Sequence, residues 1–149
     1  MRTFSKAYAL AGLRVGWCVG APEIVEAMRR LRASFPITVP SIAAAVAALG
    51  DTEHFEQSVA AIRRTREAVI SRLRAHGWRI PDSHGNFFLV RFEGNPPMDY
   101  EAAQTALVAE NVLVRPLTIQ GGEQVLRITV GTNAQMTPVT RALCGGSRQ

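Results

Sequence analysis

The stretch TFSKAYALAGLRVG, residues 3–16, decides how this sequence is interpreted. It brings one primary amine, two hydroxyls and one guanidinium together within twelve residues, on Lys6, Thr3, Ser5 and Arg14. Such a set suits a phosphorylated aldehyde, because an amine condenses with an aldehyde while hydroxyls and a guanidinium donate hydrogen bonds to phosphate oxygens. The glycines allow the backbone to approach a ligand closely. The stretch therefore predicts a phosphate-binding loop with a reactive amine.

Lys6 is the only lysine among the 17 lysine and arginine residues of the sequence. Every other long cationic side chain is arginine, which stays charged and cannot form an imine with an aldehyde. An amine kept only at this position fits a chemical requirement better than a general need for positive charge. The alternative is chance in an arginine-rich composition, and the surrounding motif argues against it.

Composition and charge exclude several classes of protein. The 149 residues are 47% hydrophobic and 19% charged, which is typical of one globular domain with a real core. The net charge of +5 comes from arginines scattered through helix-like segments, so we expect no nucleic-acid partner, which needs a clustered basic face. We expect no membrane segment either, because no apolar run approaches the roughly 20 residues of a span. The N-terminus has no signal-peptide pattern.

Cysteine and histidine positions bear on metal binding and on the redox compartment. Cys18 and Cys144 are far apart in the chain and make no metal or redox spacing, which favours a reduced, cytoplasmic protein. His54, His76 and His84 have neither metal spacing nor a paired nucleophile. We interpret these histidines as surface or helix-end residues and expect no metal ion.

Hydrophobic periodicity predicts helices first and a small α+β domain afterwards. An apolar segment at 13–20 favours a strand. Helices are expected from Pro22, at 41–50, 53–76, 100–110 and 134–143, and strands at 78–80, 86–92, 113–117 and 125–130. We divide the chain into residues 1–52, the end of a larger domain, and residues 53–149, the small domain.

The long helix has an arginine where its pattern calls for an apolar residue. Its apolar stripe includes Ile62, Val69 and Leu73, and Arg66 falls on the same stripe. We interpret Arg66 as an apolar stem that lies along the stripe with its charged head in solvent, in preference to a specific buried pair.

The spacing within residues 3–16 resembles a known cofactor-lysine signature. S-K-x-[FY]-x-L-A-G-L-R-x-G is typical of fold type I aminotransferases of class I/II, which use pyridoxal 5'-phosphate. The sequence matches it at residues 5, 6, 8, 10–14 and 16. The resemblance implies an α/β fold for the parent enzyme. This chain then supplies mainly the α+β small domain, together with the lysine loop and the end of the large domain.

The same resemblance assigns roles within the loop. It implies that Lys6 is the catalytic lysine and forms the Schiff base with pyridoxal 5'-phosphate. It also implies that Thr3, Ser5 and Arg14 hold the cofactor phosphate. The signature is far more specific than a lone glycine-rich loop.

Three further segments resemble the histidinol-phosphate aminotransferase branch, namely NFF at 86–88, VLVR at 112–115 and LRITVGT at 126–132. In that family the arginine of the last segment binds the substrate α-carboxylate, which implies this role for Arg127. The arginine that closes the second segment lies near the substrate and its phosphate, which makes Arg115 a second substrate-binding candidate. A structural role for Arg115 stays open, because it shares a strand face with Leu113 and Leu117.

Strand parity supports Arg127 independently of the resemblance. Leu126, Ile128 and Val130 share one face of a strand, so Arg127 and Thr129 point to the other. A guanidinium on that second face can face a cleft, and its planar fork matches a carboxylate.

The resemblance implies reversible amino transfer between small molecules. Histidinol phosphate and 2-oxoglutarate would give imidazole-acetol phosphate and glutamate in histidine biosynthesis, and the full-length enzyme would be a homodimer. Enzymes of this group are much longer than this chain. The aspartate that keeps the pyridine nitrogen protonated and the aromatic that stacks on the ring lie outside it. We therefore expect a truncated chain that is inactive alone.

Two alternatives remain open. Within enzymes, other aminotransferases and a threonine-phosphate decarboxylase share the lysine motif. In a different class, the chain would be a non-catalytic small domain that serves as an interaction module or survives as a pseudo-enzyme remnant. Absorbance separates these classes, because the cofactor is yellow when it is linked to the lysine.

Overall fold

The computed structural model describes residues 1–145. They divide into two compact units, the first from Met1 to Val59 and the second from Ala60 onward. In chain order the elements are β1 (Arg2–Thr3), a 3₁₀ turn (Ala11–Leu13), β2 (Gly16–Trp17), α1 (Pro22–Leu31), α2 (Val39–Gly50), α3 (Thr52–Ala75), β3 (Phe87–Arg91), α4 (Tyr100–Ala109), β4 (Arg115–Thr118), β5 (Gln124–Thr129) and α5 (Asn133–Cys144). The domain boundary between residues 52 and 53 stays a prediction.

β1 and β2 form a short antiparallel ladder in the first unit, with Thr3 opposite Gly16. The two backbones approach closely: a Cβ added at Gly16 would lie 2.8 Å from the Arg2 carbonyl oxygen, so only glycine fits there. The strand predicted over 13–20 is shortened to Gly16 and Trp17. Arg14 adopts a left-handed φ of 54° and interrupts the extended backbone.

α1 and α2 begin at residues that favour the first turn of a helix. Pro22 lies in the first turn of α1 and Glu23 complements the positive end of its dipole. At α2 the Thr38 side chain accepts a hydrogen bond from the Ser41 backbone N–H at 3.3 Å. The helix starts two residues before the predicted Ser41, because Pro40 is tolerated in a first turn. Ser41 Oγ also donates to the Leu13 carbonyl at 2.9 Å and ties α2 to the β1–β2 segment.

The core of the first unit is small. Phe4, Val15 and Ala45 are buried, and only a few partly buried apolar side chains pack against them. Tyr8 joins this cluster, with its ring centroid 4.9 Å from that of Phe4 and 4.8 Å from that of Phe55.

The second unit is built on a three-stranded antiparallel sheet in the order β3-β5-β4. The register places Leu89 and Arg115 on either side of Arg127. Alternation along the strands gives one buried face, which holds Phe88, Val90, Leu126 and Ile128.

Helices α3, α4 and α5 complete the core of the second unit, with Leu73, Leu107 and Leu143 buried. α5 begins with a capping box, in which the Thr132 side chain accepts from the Gln135 N–H and the Gln135 side chain accepts from the Thr132 N–H. The predicted α+β architecture is confirmed, although residues 78–80 contribute only a single bridge, between Arg79 and Arg91. Among residues 1–145, no helix combines the length and the apolar character that a membrane crossing requires.

The interpretation of Arg66 as a solvent-reaching side chain is wrong. Arg66 is only 7% exposed, and its Nη1 donates to the Gly85 carbonyl at 2.9 Å. The charged head is held inside because the loop before β3 offers a backbone acceptor that sequence spacing alone could not reveal.

Candidate active site

The segment between β1 and β2 carries the four residues predicted to hold the cofactor. Its backbone is fixed by the buried Phe4, whose N–H donates to the Val15 carbonyl at 3.1 Å and whose carbonyl accepts from the Leu10 N–H at 3.0 Å. Within these two anchors, the Ala9 N–H donates to the Lys6 carbonyl at 2.9 Å. Lys6 therefore begins a tight turn that is anchored on both sides.

The reactive groups of this segment face solvent. Thr3, Lys6 and Arg14 are exposed, and Ser5 is half-buried. The Ser5 backbone N–H donates to Thr3 Oγ1 at 3.0 Å. A hydroxyl that accepts one hydrogen bond keeps its own proton for donation, so Thr3 is oriented and still able to donate.

Arg14 is oriented by its own segment. Its left-handed backbone follows directly on the 3₁₀ turn, and its Nη1 donates to the Ala11 carbonyl at 2.9 Å. A guanidinium has five N–H donors. The contact with Ala11 fixes the side chain and leaves donors for an anionic ligand.

In the second unit, Arg127 and Arg115 are direct cross-strand neighbours on β5 and β4. Arg127 is half-buried, whereas Leu126 and Ile128 beside it are buried, so the predicted strand parity is confirmed. Among the ion pairs formed within residues 1–145, none includes Arg127 or Arg115. Like charges directly opposite each other on a sheet are destabilising, and a bound anion would relieve that repulsion.

A cavity of about 770 Å³ borders this arginine pair. Its walls come from β4, the end of β5 and the start of α5, and Arg115, Arg127, Thr129 and Gln135 supply polar lining. The size and the mixture of apolar and polar walls suit a small organic anion.

Phe87 is the residue whose contribution the sequence did not reveal. The Arg127 Cζ lies 4.1 Å from the centroid of the Phe87 ring, a distance typical of a cation–π contact. Phe87 belonged to a motif that was recognised, but no role followed from it. The register between β3 and β5 was the missing information.

Arg91 on β3 is paired with acidic side chains. Its guanidinium forms a bidentate pair with Glu123 and also contacts Glu93 at 2.8 Å. The hydrogen bond from Arg91 lowers the pKa of the Glu123 carboxyl, and the same pairing raises the pKa of Arg91. Arg91 is therefore a partnered structural arginine, unlike Arg127 and Arg115. The three histidines are exposed.

The fold and the lysine loop define a member of the aminotransferases. The sequence model described as "Aminotransferase class I and II" matches residues 1–143, and this chain belongs to that family. The predicted family and the fold type I class are confirmed.

Curated relatives of this chain include histidinol-phosphate aminotransferases. The chain is 37% identical to the histidinol-phosphate aminotransferase of Syntrophotalea carbinolica over 142 residues, which cover 95% of this chain and 40% of that protein. It is 41% identical to the histidinol-phosphate aminotransferase of Rhodospirillum centenum over 144 residues, which cover 95% and 39%. A solved structure of the Sinorhizobium meliloti histidinol-phosphate aminotransferase, in complex with pyridoxal-5'-phosphate, aligns with a TM-score of 0.81 at 26% identity. That alignment covers 96% of this chain and 39% of that one. The chain thus spans about 40% of the length of the curated relatives it matches.

Proposed function

We propose that this chain is part of a pyridoxal-phosphate-dependent aminotransferase of histidine biosynthesis. The reaction would convert histidinol phosphate and 2-oxoglutarate into imidazole-acetol phosphate and glutamate. The observation that carries the proposal is the joint exposure of Lys6, Thr3 and Arg14 on one anchored segment. The identity to two histidinol-phosphate aminotransferases supports the choice of substrate.

The groups on the segment fit pyridoxal phosphate. The cofactor needs an amine for its aldehyde and hydrogen-bond donors for its phosphate. Lys6 supplies the amine, and Thr3, Ser5 and Arg14 supply the donors. The contacts of Thr3 with Ser5 and of Arg14 with Ala11 orient these side chains before a ligand arrives. An oriented donor loses less conformational entropy on binding, so these contacts favour a phosphate site.

Lys6 carries the chemical step in this proposal. When bound, pyridoxal phosphate supplies an aldehyde and a ring that withdraws electrons from the substrate Cα. Lys6 Nζ would hold the cofactor through its aldehyde. When not engaged in that bond, the Lys6 amine would act as general base and acid for the proton at the substrate Cα. Because only Lys6 offers such an amine, no other side chain of this sequence can replace it.

Arg127 and Arg115 would select anionic substrates. Arg127 binds the α-carboxylate of glutamate through two parallel N–H donors. Arg115, directly opposite on β4, attracts a second negative group such as the phosphate of histidinol phosphate. Both arginines border the cavity of about 770 Å³, which would give a phosphorylated imidazole compound room beside them.

The remaining parts of the proposal concern the whole enzyme. We propose that the full-length protein acts in the cytoplasm as a homodimer, with a small-molecule amino donor and a 2-oxo acid as its substrates. The groups that pair with the pyridine nitrogen and stack on its ring would come from the part of the relatives that this chain does not span.

The proposal is tested by expressing the complete reading frame that encodes this chain. Purified protein is supplied with pyridoxal phosphate, histidinol phosphate and 2-oxoglutarate, and glutamate formation is measured. We expect turnover on the order of 1 per second or above, and loss of turnover in Lys6→Arg, which keeps the charge but cannot form an imine.

The same assay separates the alternatives. Release of carbon dioxide from threonine phosphate without glutamate formation would replace the proposal with a decarboxylase. Equal turnover with aromatic amino acids would replace it with a broad-specificity aminotransferase. Absence of a yellow, lysine-linked cofactor in the full-length protein would favour a non-catalytic domain.

A further inference from the structure

We propose that Phe87 is a positioning residue, which holds the Arg127 guanidinium flat against its ring so that the edge of the guanidinium is presented to a carboxylate. The inference rests on the carboxylate role proposed for Arg127 and adds the aromatic contact that orients this side chain. The Arg127 Cζ lies 4.1 Å from the ring centroid. A guanidinium stacked on the ring uses one of its faces, whereas its N–H donors lie in its plane, so stacking would leave the donors free for a ligand.

The backbone around Phe87 is held at three consecutive carbonyls. The Gly85 carbonyl accepts from Arg66 Nη1 at 2.9 Å. The Asn86 carbonyl accepts from the Val130 N–H at 2.8 Å, and the Phe87 carbonyl accepts from Ser83 Oγ. These three hydrogen bonds come from α3, from the residue after β5 and from the loop before β3. They fix the backbone at the start of β3, and therefore the position of the Phe87 Cα.

The ring itself also has little space to move. A Cβ added at Gly85 would lie 3.4 and 3.5 Å from the Cε1 and Cδ1 atoms of Phe87, so the glycine backbone packs close to the ring. Phe87 lies opposite Thr129 in the register and Leu89 lies opposite Arg127. Phe87 is therefore a diagonal cross-strand neighbour of Arg127 on one sheet face, within reach of long and aromatic side chains.

The position of the Phe87 ring explains why Arg127 is suited to ligand binding although Arg115 lies beside it. Repulsion between two neighbouring guanidinium groups favours separation of their side chains. The Phe87 ring attracts the Arg127 guanidinium and opposes this separation without using any of its donors. An acidic side chain in place of the ring would occupy the donors, as Glu123 does with Arg91.

The inference is tested by nuclear magnetic resonance of the 149-residue chain with labelled arginine side chains, with glutarate as the probe ligand. In the wild-type protein, the Arg127 side-chain resonances should show an upfield ring-current shift. Phe87→Leu, which keeps apolar volume but removes the ring, should abolish the shift and weaken glutarate binding about three- to tenfold. Phe87→Tyr restores a ring and should restore both the shift and the affinity.

The outcomes separate this inference from the proposed function. If the wild-type protein shows no ring-current shift, or Phe87→Leu binds glutarate as tightly as wild type, the positioning role is wrong. If Arg127→Lys binds glutarate as tightly as wild type, the carboxylate role proposed for Arg127 is wrong instead. If Phe87→Leu loses the native resonance dispersion of β3 and β5, Phe87 has a structural role and the positioning role is wrong.

Discussion

The first unit buries three apolar side chains in its core cluster, whereas the second buries sixteen. Among residues 1–145, every large exposed apolar side chain except Val108 and Leu113 lies in the first unit. Phe35 and Met1 are the most exposed of those in the first unit, at 94% and 92%. Burial of apolar surface is the main stabilising term in folding. The second unit therefore has the core of an independent domain, whereas the first leaves many large apolar side chains exposed.

The chemistry is divided in the opposite way. The first unit carries the one side-chain amine and the proposed phosphate donors, whereas the second carries the arginine pair on a sheet with a large core. The proposed reactive residue thus lies in the unit with the smaller core. The stability and the reactivity of this chain therefore have to be tested separately.

The largest effect is expected for the activity of the chain by itself. The 149-residue protein should show neither stoichiometric yellow cofactor nor glutamate formation, because it offers only part of a phosphate site and exposes the surface around it. Absorbance after desalting and an assay with histidinol phosphate and 2-oxoglutarate measure both properties, and the full reading frame is the positive control. Turnover on the order of 1 per second or above from the 149-residue chain would show that the chain is active by itself and contradict this prediction.

A substitution in the core tests whether the stability of the chain lies in the second unit. Leu73 is fully buried in the second unit, and Leu73→Ala should lower the free energy of unfolding by about 2–5 kcal/mol. Leu31→Ala, on the exposed face of α1, should change it by less than about 0.5 kcal/mol. Urea unfolding followed by fluorescence of the buried Trp78 measures both changes. Equal losses would mean that stability does not reside in the second unit.

Loss of Arg127 tests the chemistry of the second unit in the full-length enzyme. Removing a bidentate charged contact costs about 2–5 kcal/mol, so Arg127→Ala should lower kcat/KM for glutamate by roughly two orders of magnitude. Histidinol phosphate carries a phosphorylated hydroxymethyl group in place of the carboxylate, and Arg115, directly opposite on β4, remains to attract that phosphate, so its half-reaction should suffer less. Arg141→Ala, an exposed arginine paired with Glu110, is the matched control. An equal loss for both substrates would point to a structural arginine.

The smallest effect concerns pH. Pairing with Arg91 lowers the pKa of Glu123 in the folded protein. The pair therefore stabilises the second unit above the unfolded pKa of glutamate, about 4.3, and this contribution is lost as the pH falls through the lower folded value. Glu123→Gln should reduce the difference in urea midpoint between pH 7 and pH 3, and Glu101→Gln should not. A pH dependence that Glu123→Gln leaves unchanged would exclude this pair as its source.

Local patterns in the sequence were sufficient for the helices and for the three strands of the second unit, whereas the strand expected at 78–80 is a single bridge. Strand alternation correctly separated Arg127 from the buried Leu126 and Ile128, and glycine and proline positions marked most helix ends. The sequence missed the contacts of residues whose partners are distant along the chain. Arg66 is buried because the Gly85 carbonyl lies near it, and the contact between Phe87 and Arg127 depends on the pairing of β3 with β5. Neither contact follows from spacing along the chain.

The most direct test of the account is to identify the residue that holds the cofactor in the full-length protein. Borohydride reduction in the presence of pyridoxal phosphate, followed by peptide mapping, should place the pyridoxyl group on Lys6 with one label per chain. Lys6→Ala should carry no specific label. A label at the amino terminus alone, or an undiminished label in Lys6→Ala, would contradict the assignment of Lys6.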